Sequence, residues 1–245
     1  MKKIIFFFCA IAVVAISHGR PSKVFLTYNV EEVSIIYSDL VFNESPKDIV
    51  IDFELGGSLI FYRSGYESLF VKLSKENAFQ SYNVVLIPLQ NKVPSTGIDI
   101  ELKKVSFINY VTNFTPAEVT EIIKQRFIAS KVSAHTENTV FQSANVTDKN
   151  YTIGVEVLKS NSKNGSYTAP YFLFSYQKLR WSVLDNVSNN LILEHETEGL
   201  NLVTFKARRG LIASDRLKEI TIFAIEEATQ KFINSPDFAS LFKSK

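Results

Sequence analysis

Histidine, cysteine and paired carboxylates carry most enzyme and metal chemistry, and the 245-residue sequence uses them sparingly. Its single Cys, Cys9, sits in an apolar N-terminal run, so the body offers no disulfide, thiolate metal site, iron–sulfur cluster or thiol nucleophile. Beyond residues 1–19 only His135 and His195 remain, and neither belongs to a His-x-x-x-His metal spacing. No Gly-x-Ser-x-Gly elbow is present, and with 9 Gly in the chain the phosphate-loop and dinucleotide fingerprints are absent too. Carboxylate-only chemistry survives this filter, because a glycosidase needs just two acids at the right separation. Asp99/Glu101 and Glu194/Glu196/Glu198 are alternate residues on expected strands, so each set faces one way, as a solvated strand face also does. Lys206, Arg208 and Arg209 form a small basic cluster that suits an anionic headgroup or phosphate, or simply a solvated loop. The residues therefore nominate no catalytic, cofactor-binding or metal-binding set.

The elements that would position a site read as an α+β protein. Residues 23–110 are strand-like. Ile49, Ile51, Phe53 and Leu55 alternate with polar or outward positions, and Gly56-Gly57 then predicts a two-residue hairpin turn into Leu59 and Phe61. Further strands are expected at Leu69–Leu73, Asn83–Leu89 and Ile98–Phe107, with Gln90–Gly97 as a loop and candidate boundary. Thr115-Pro116-Ala117-Glu118 is a capping box with proline at the first helical position, which starts a helix running to about Ser130. Tyr151–Val157 reads as a strand, Ser160–Ser166 as a turn, and residues 167–184 as a long strand. In that strand Phe172, Phe174 and Tyr176 are out of phase with Leu179, Trp181 and Val183. A bulge, or cover on both faces at the start of the strand, explains the switch. A strand at Leu191–Phe205, a helix from Ser214 to about Ile233 and a short helix opened by Ser235-Pro236 complete the order.

The expected architecture is a two-layer sandwich of antiparallel sheet with two main helices, preceded by a β-rich N-terminal half. The expected organisation is a signal peptide over 1–19, a β-rich region over 20–97 and an α+β domain over 98–245. On the last helix Leu217, Ile220, Phe223, Ala224 and Phe232 belong to an apolar arc wider than the stripe of an ordinary surface helix. Two readings follow: deep burial between a sheet and another layer, or a face that binds a protein partner.

Lys2 and Lys3 precede an uninterrupted apolar run of 13 residues, Ile4 to Ile16, followed by Ser17, His18 and Gly19. That run is too short to span a hydrocarbon core of about 30 Å, and its layout is that of a secretory signal peptide. Cys9 lies in mid-run rather than after a small-residue box, so it is not placed as a lipoprotein cysteine. Loss of the leader leaves 25 basic groups against 25 acidic ones, which argues against a nucleic-acid partner. A Cys-free body favours a bacterial periplasm, with secretion as the alternative, and no transmembrane span is expected in the mature chain. Six Asn-x-Ser/Thr sequons are a mild excess. Phe (20) and Tyr (10) are abundant, enough for a large core or for a pocket that takes an acyl chain.

The C-terminal half carries a recognisable order: a helix, the strand entered through Asn150-Tyr151-Thr152-Ile153-Gly154-Val155, then Leu179-Arg180-Trp181-Ser182-Val183-Leu184-Asp185, Leu191-Ile192-Leu193-Glu194, and a closing helix near Asn234-Ser235-Pro236-Asp237. This resembles the auxiliary lipoproteins of bacterial envelope ABC-type transporters and related small outer-membrane lipoproteins. The resemblance covers about residues 115–240, is topological and identifies no functional residue. It implies an α+β domain that serves, without catalysis, as a structural partner of a lipid-trafficking machine. The missing lipobox departs from it, and residues 23–110 lie outside it. The function expected is a non-enzymatic exported envelope accessory protein with a protein partner. A carrier of a lipid or other apolar ligand is the first alternative and a carboxylate-dependent hydrolase the second.

Overall fold

The computed structural model describes residues 21–37, 40–89, 99–108, 114–130, 132–136, 151–165, 171–205 and 214–241. The expected signal peptide, the expected Gln90–Gly97 loop and the Lys206/Arg208/Arg209 cluster lie outside the described residues. The fold is α+β, as expected. Thirteen strands form three sheets among the described residues: β1 (Ser22–Tyr28), β2 (Ser34–Tyr37), β3 (Leu40–Phe42), β4 (Asp48–Ile51), β5 (Gly57–Tyr62), β6 (Leu69–Leu73), β7 (Ser81–Val84), β8 (Asp99–Leu102), β9 (Ser106–Phe107), β10 (Ser133–Thr136), β11 (Tyr151–Gly165), β12 (Tyr171–Asp185) and β13 (Asn190–Phe205). The helices are α1 (Pro116–Ala129), α2 (Ser214–Asn234) and α3 (Pro236–Ser240).

Three cores stack these elements in order. Sheet β4-β1-β7 packs face to face on sheet β3-β2-β5-β6 through Val24, Leu26, Ile35, Ile51, Leu59 and Phe61. The opposite face of the four-stranded sheet packs, through Ile36, Ile60 and Phe70, on Phe172, Phe174, Leu200 and Leu202 of the long C-terminal strands. The far face of that six-stranded sheet carries the helices, with Trp181 stacked on Phe232 at 4.3 Å and Phe127 edge-on to both. The C-terminal part is thus the expected sheet-and-helix sandwich, and the N-terminal part is a sandwich of its own.

Several local expectations change. Gly56 and Gly57 do have positive φ, 65° and 105°, but they do not close a hairpin. β4 pairs with β1 while β5 pairs with β2 and β6, so the glycines carry the chain from one sheet to the other. The Asn83–Leu89 strand becomes β7, which ends at Val84, and the Ile98–Phe107 strand is broken into β8 and β9. The sheet is also not purely antiparallel. β10 and β11 both pair in parallel with β8, because α1 crosses over between β8 and β10.

Ser160–Gly165 is strand rather than turn, since β11 pairs with β12 through Gly165↔Phe172. Ser162 hydrogen-bonds Ser175 at 2.6 Å and Thr221 of α2 at 3.0 Å, so polar residues line this stretch of the buried face. The phase switch in β12 comes from cover on both faces. Odd residues from Leu173 to Val183 stay buried throughout, while Phe172 and Phe174 are buried against the N-terminal sheet.

Helix α1 begins as the capping box requires: Thr115 accepts from the Glu118 N–H at 3.3 Å, and Glu118 accepts from the Thr115 N–H at 2.8 Å. Glu118 also receives Lys218 Nζ of α2 at 2.9 Å. The Lys218 ammonium first, and the Thr115 donors next, hold the Glu118 carboxyl at a pKa of about 2. Such a depressed group contributes stability above its ordinary value of 4.5 and loses it as pH falls towards 2. Carbon-detected titration should place Glu118 below the other exposed glutamates, and Glu118→Gln should flatten the acid limb of the stability profile; an ordinary titration at Glu118 would refute the pairing. Helix α2 crosses β13 at Gly199, where a Cβ would lie 1.9 Å from the Ala224 carbonyl oxygen and 2.6 Å from the Ala228 nitrogen. Gly199→Ala must therefore push the helix off the sheet and should cost at least about 3 kcal/mol in urea unfolding, the upper end of ordinary overpacking.

Candidate functional site

The residues nominated on α2 turn inward. Ile220 is 3% exposed and Ala224 and Phe232 are 0% exposed, all packed within the molecule, and Leu217 is half-buried. Phe223 alone among the five is solvent-facing, at 46%. The wide apolar arc is explained by burial: α2 lies across β12 and β13 and also touches α1 and α3.

The carboxylate ladder of β13 faces away from the helices, with Lys178 and Arg180 of β12 alongside. Glu196 sits 2.7 Å from Lys178 and 3.1 Å from Arg180, and Glu198 is 3.7 Å from Lys178. Lys178 first and Arg180 second hold the Glu196 carboxyl below its ordinary range, and the Glu196 hydrogen bond raises Lys178 in return. A carboxylate held ionised is poorly suited to be a general acid. His195 faces the opposite side of the strand, where Nδ1 lies 3.1 Å from Asp237 of α3 and the ring sits beside Phe232. The other carboxylate pair lies on β8 and His135 lies on β10, where the side chains of Asp99 and His135 are outside the described residues. Among the described residues, no group of three His, Cys, Asp or Glu side chains is placed to hold a metal ion.

The junction between the two halves was not legible in the sequence. Glu227 is 6% exposed and accepts four bonds. They come from the Ser68 N–H at 2.6 Å, the Ser68 hydroxyl at 3.1 Å, the Leu200 N–H at 2.7 Å and Lys231 Nζ at 3.0 Å. Lys231 in turn donates to the carbonyls of Ser68 at 3.0 Å and Glu198 at 2.9 Å. Because β13 is the edge strand of its sheet, this ion pair satisfies edge groups that would otherwise be unpaired. It also straps the loop before β6 to the edge. Burial first, and the Glu227 charge second, raise the pKa of nearby Tyr62. The sequence signal was only Glu227 and Lys231 one helical turn apart, a spacing shared by many surface pairs.

Two clefts open on either side of the junction. One, of about 710 Å³, is bordered by Tyr62, Asn201, Arg216, Glu219 and Phe223. The other, of about 720 Å³, lies between the four-stranded sheet and the outer face of β11–β13. Its apolar lining includes Ile36, Ile60, Phe70 and Phe174, and its lysines are Lys72, Lys159 and Lys163. A bulge in β11 sets the last two. Val157 faces Leu179 and Lys159 faces Lys178, so two residues advance on β11 for one on β12. Lys159, Asn161 and Lys163 thereby come onto the outer face beside Tyr176 and Phe174.

No protein-family model matches the sequence, and no curated protein matches it. Solved structures do show partial likeness. A protein from Xanthomonas campestris is 8% identical, with a TM-score of 0.43 over 63% of this chain and 92% of that one. A minor lipoprotein from Acinetobacter baumannii is 10% identical, with a TM-score of 0.36 over 60% of this chain and 96% of that one. The lipoprotein GNA1162 from Neisseria meningitidis is 8% identical, with a TM-score of 0.30 over 50% of this chain and 97% of that one. Bacterial lipoproteins are thus among the solved structures that show this low, partial similarity to the chain. Identities and scores of this size say nothing about activity.

Removing the Glu227 side chain leaves Lys231 and two backbone N–H groups without their buried acceptor. Glu227→Ala should therefore destabilise the protein by about 3–5 kcal/mol in urea unfolding. Hydrogen exchange at the Ser68 and Leu200 amides should accelerate together, and protection retained at both would refute the strap.

Proposed function

We propose that this chain is a non-enzymatic, exported accessory protein of the bacterial envelope that works by binding, and that its site is the junction between the two halves. The observation that carries this reading is the pair of clefts, of about 710 and 720 Å³, flanking the buried strap. Their size is that of ordinary small-ligand sites, about 300–1,000 Å³, and they mix apolar walls with a few polar groups. The apolar arc of α2, by contrast, is mostly used up inside the fold. This moves the first choice from a protein-binding helix to a carrier of a lipid or other apolar ligand. Export rests on the Lys2-Lys3 and Ile4–Ile16 leader pattern. No helix among the described residues is long and apolar enough to cross a membrane.

A second reading, contact with an envelope protein, is favoured by the tip of the β12–β13 hairpin. There Val187 is 87% exposed, with Leu191 and Ile192 also exposed beside it. Apolar side chains gathered at a hairpin tip suit a protein contact. The hydrolase alternative draws support only from the carboxylate ladder, whose central member is held ionised by two cations.

Native mass spectrometry of the protein purified from its own envelope, without detergent, separates these readings. The expected result is a small apolar ligand at one per chain that is lost on unfolding. A ligand-free chain recovered with a stoichiometric envelope protein would overturn the carrier reading in favour of the hairpin contact.

A further inference from the structure

We propose that the 720 Å³ cleft binds a single-chain anionic amphiphile, with its tail along the half-buried edges of Ile60 and Phe70 and its acid group on Lys72, Lys159 and Lys163. This deepens the carrier reading and rests on it.

The two walls supply different parts. On the four-stranded sheet, Ile36 pairs with Ile60 and Ile60 with Phe70, so three apolar side chains run side by side across β2, β5 and β6. Lys72 follows Phe70 by two residues on β6 and therefore projects from the same face. On the opposite wall, Lys159 Nζ lies 5.7 Å from the Tyr176 ring centroid and Lys163 Nζ lies 5.2 Å from that of Phe174. Cations seated over aromatic faces are held at the border of the apolar surface rather than fully in water. Gly57 borders the cleft, and a Cβ there would meet nothing within 4 Å.

The charge balance selects the ligand. Among the described residues Glu198 is the one carboxylate bordering this cleft, and it is engaged by Lys178 and by the Tyr176 hydroxyl. Burial first, and the Glu198 charge second, push the Tyr176 pKa up, which keeps that hydroxyl protonated as a donor. Among the described residues Lys72 and Lys159 take part in no ion pair. A neutral apolar ligand would cover these ammonium groups without offering them a counter-charge, at a desolvation cost. A chain ending in an acid group offers both the tail and the counter-charge. A carboxylate and a phosphate monoester share that chemistry.

The test is isothermal titration of the purified mature chain with laurate, dodecyl phosphate and dodecanol, each below its aggregation concentration. The two anions should bind at one per chain and weaken as salt rises, while dodecanol should bind at least about tenfold more weakly, a difference of about 1.4 kcal/mol. The Lys72→Gln/Lys159→Gln/Lys163→Gln variant should lose that discrimination while keeping the wild-type unfolding midpoint. Lys72→Gln alone, at an exposed strand position, serves if the triple variant is unstable. Preference for laurate would point to a fatty acid, and preference for dodecyl phosphate to a phosphorylated lipid; either supports the site. Equal affinity for dodecanol, or an unchanged anion affinity in the variants, would overturn the anionic class while leaving an apolar carrier standing. No binding of any of the three, with no co-purified ligand, would overturn both.

Discussion

One buried carboxylate organises the meeting of the two halves. Glu227 takes two bonds from Ser68 in the N-terminal part and one from the edge strand, and Lys231 beside it caps two carbonyls. An ion pair this buried has no net claim to stabilise a fold over apolar residues of the same size, because both charges lose their water. What it supplies is direction. Apolar sheets tolerate sliding, whereas an edge N–H and a loop N–H that share one carboxylate set a single register between the halves.

The packing around that point follows from it. Gly199, one residue before Leu200, lets the α2 backbone sit directly on β13, which is what brings Glu227 to the edge. With the loop before β6 fastened there, the free face of the four-stranded sheet meets the start of the long strands at Phe172, Phe174, Leu200 and Leu202. Beyond this patch the long strands carry Lys178, Arg180 and Glu196 towards solvent, and the 720 Å³ cleft borders the patch on the side of Tyr176 and Glu198. A binding role at this junction is thus a consequence of how two incompletely matched layers are strapped together. Trp181 is fully buried under α2 and stacked on Phe232, so its fluorescence reports the helix-side core rather than either cleft.

Elements set by local chemistry were legible in the sequence. The Thr115–Glu118 box starts α1 where a Thr, a Pro and a Glu in that order satisfy first-turn N–H groups, whatever surrounds them. The period-two patterns of β11 to β13 and the positive φ at Gly56 and Gly57 are equally local demands. Partnership was different. The same glycines predict a hairpin from sequence, because their backbone freedom says that the chain turns and not which strand it turns towards. The composition of Ser160–Ser166 predicts a turn, yet pairing with β12 and the hydrogen bonds of Ser162 to Ser175 and Thr221 make residues 160–165 strand.

The sequence alone determined the α+β class, the helix starts, the alternation of the long strands and the absence of any familiar catalytic or metal motif. Each of these depends on a few neighbouring residues and on the period of one element. Only the tertiary structure decided that the α2 arc is internal, that Glu227 and Lys231 join Ser68 to an edge strand, and that a bulge in β11 turns Lys159 and Lys163 towards Lys72. Those facts require residues distant along the chain to share a surface, and the free energy that brings them together belongs to the packed layers rather than to any local run of sequence.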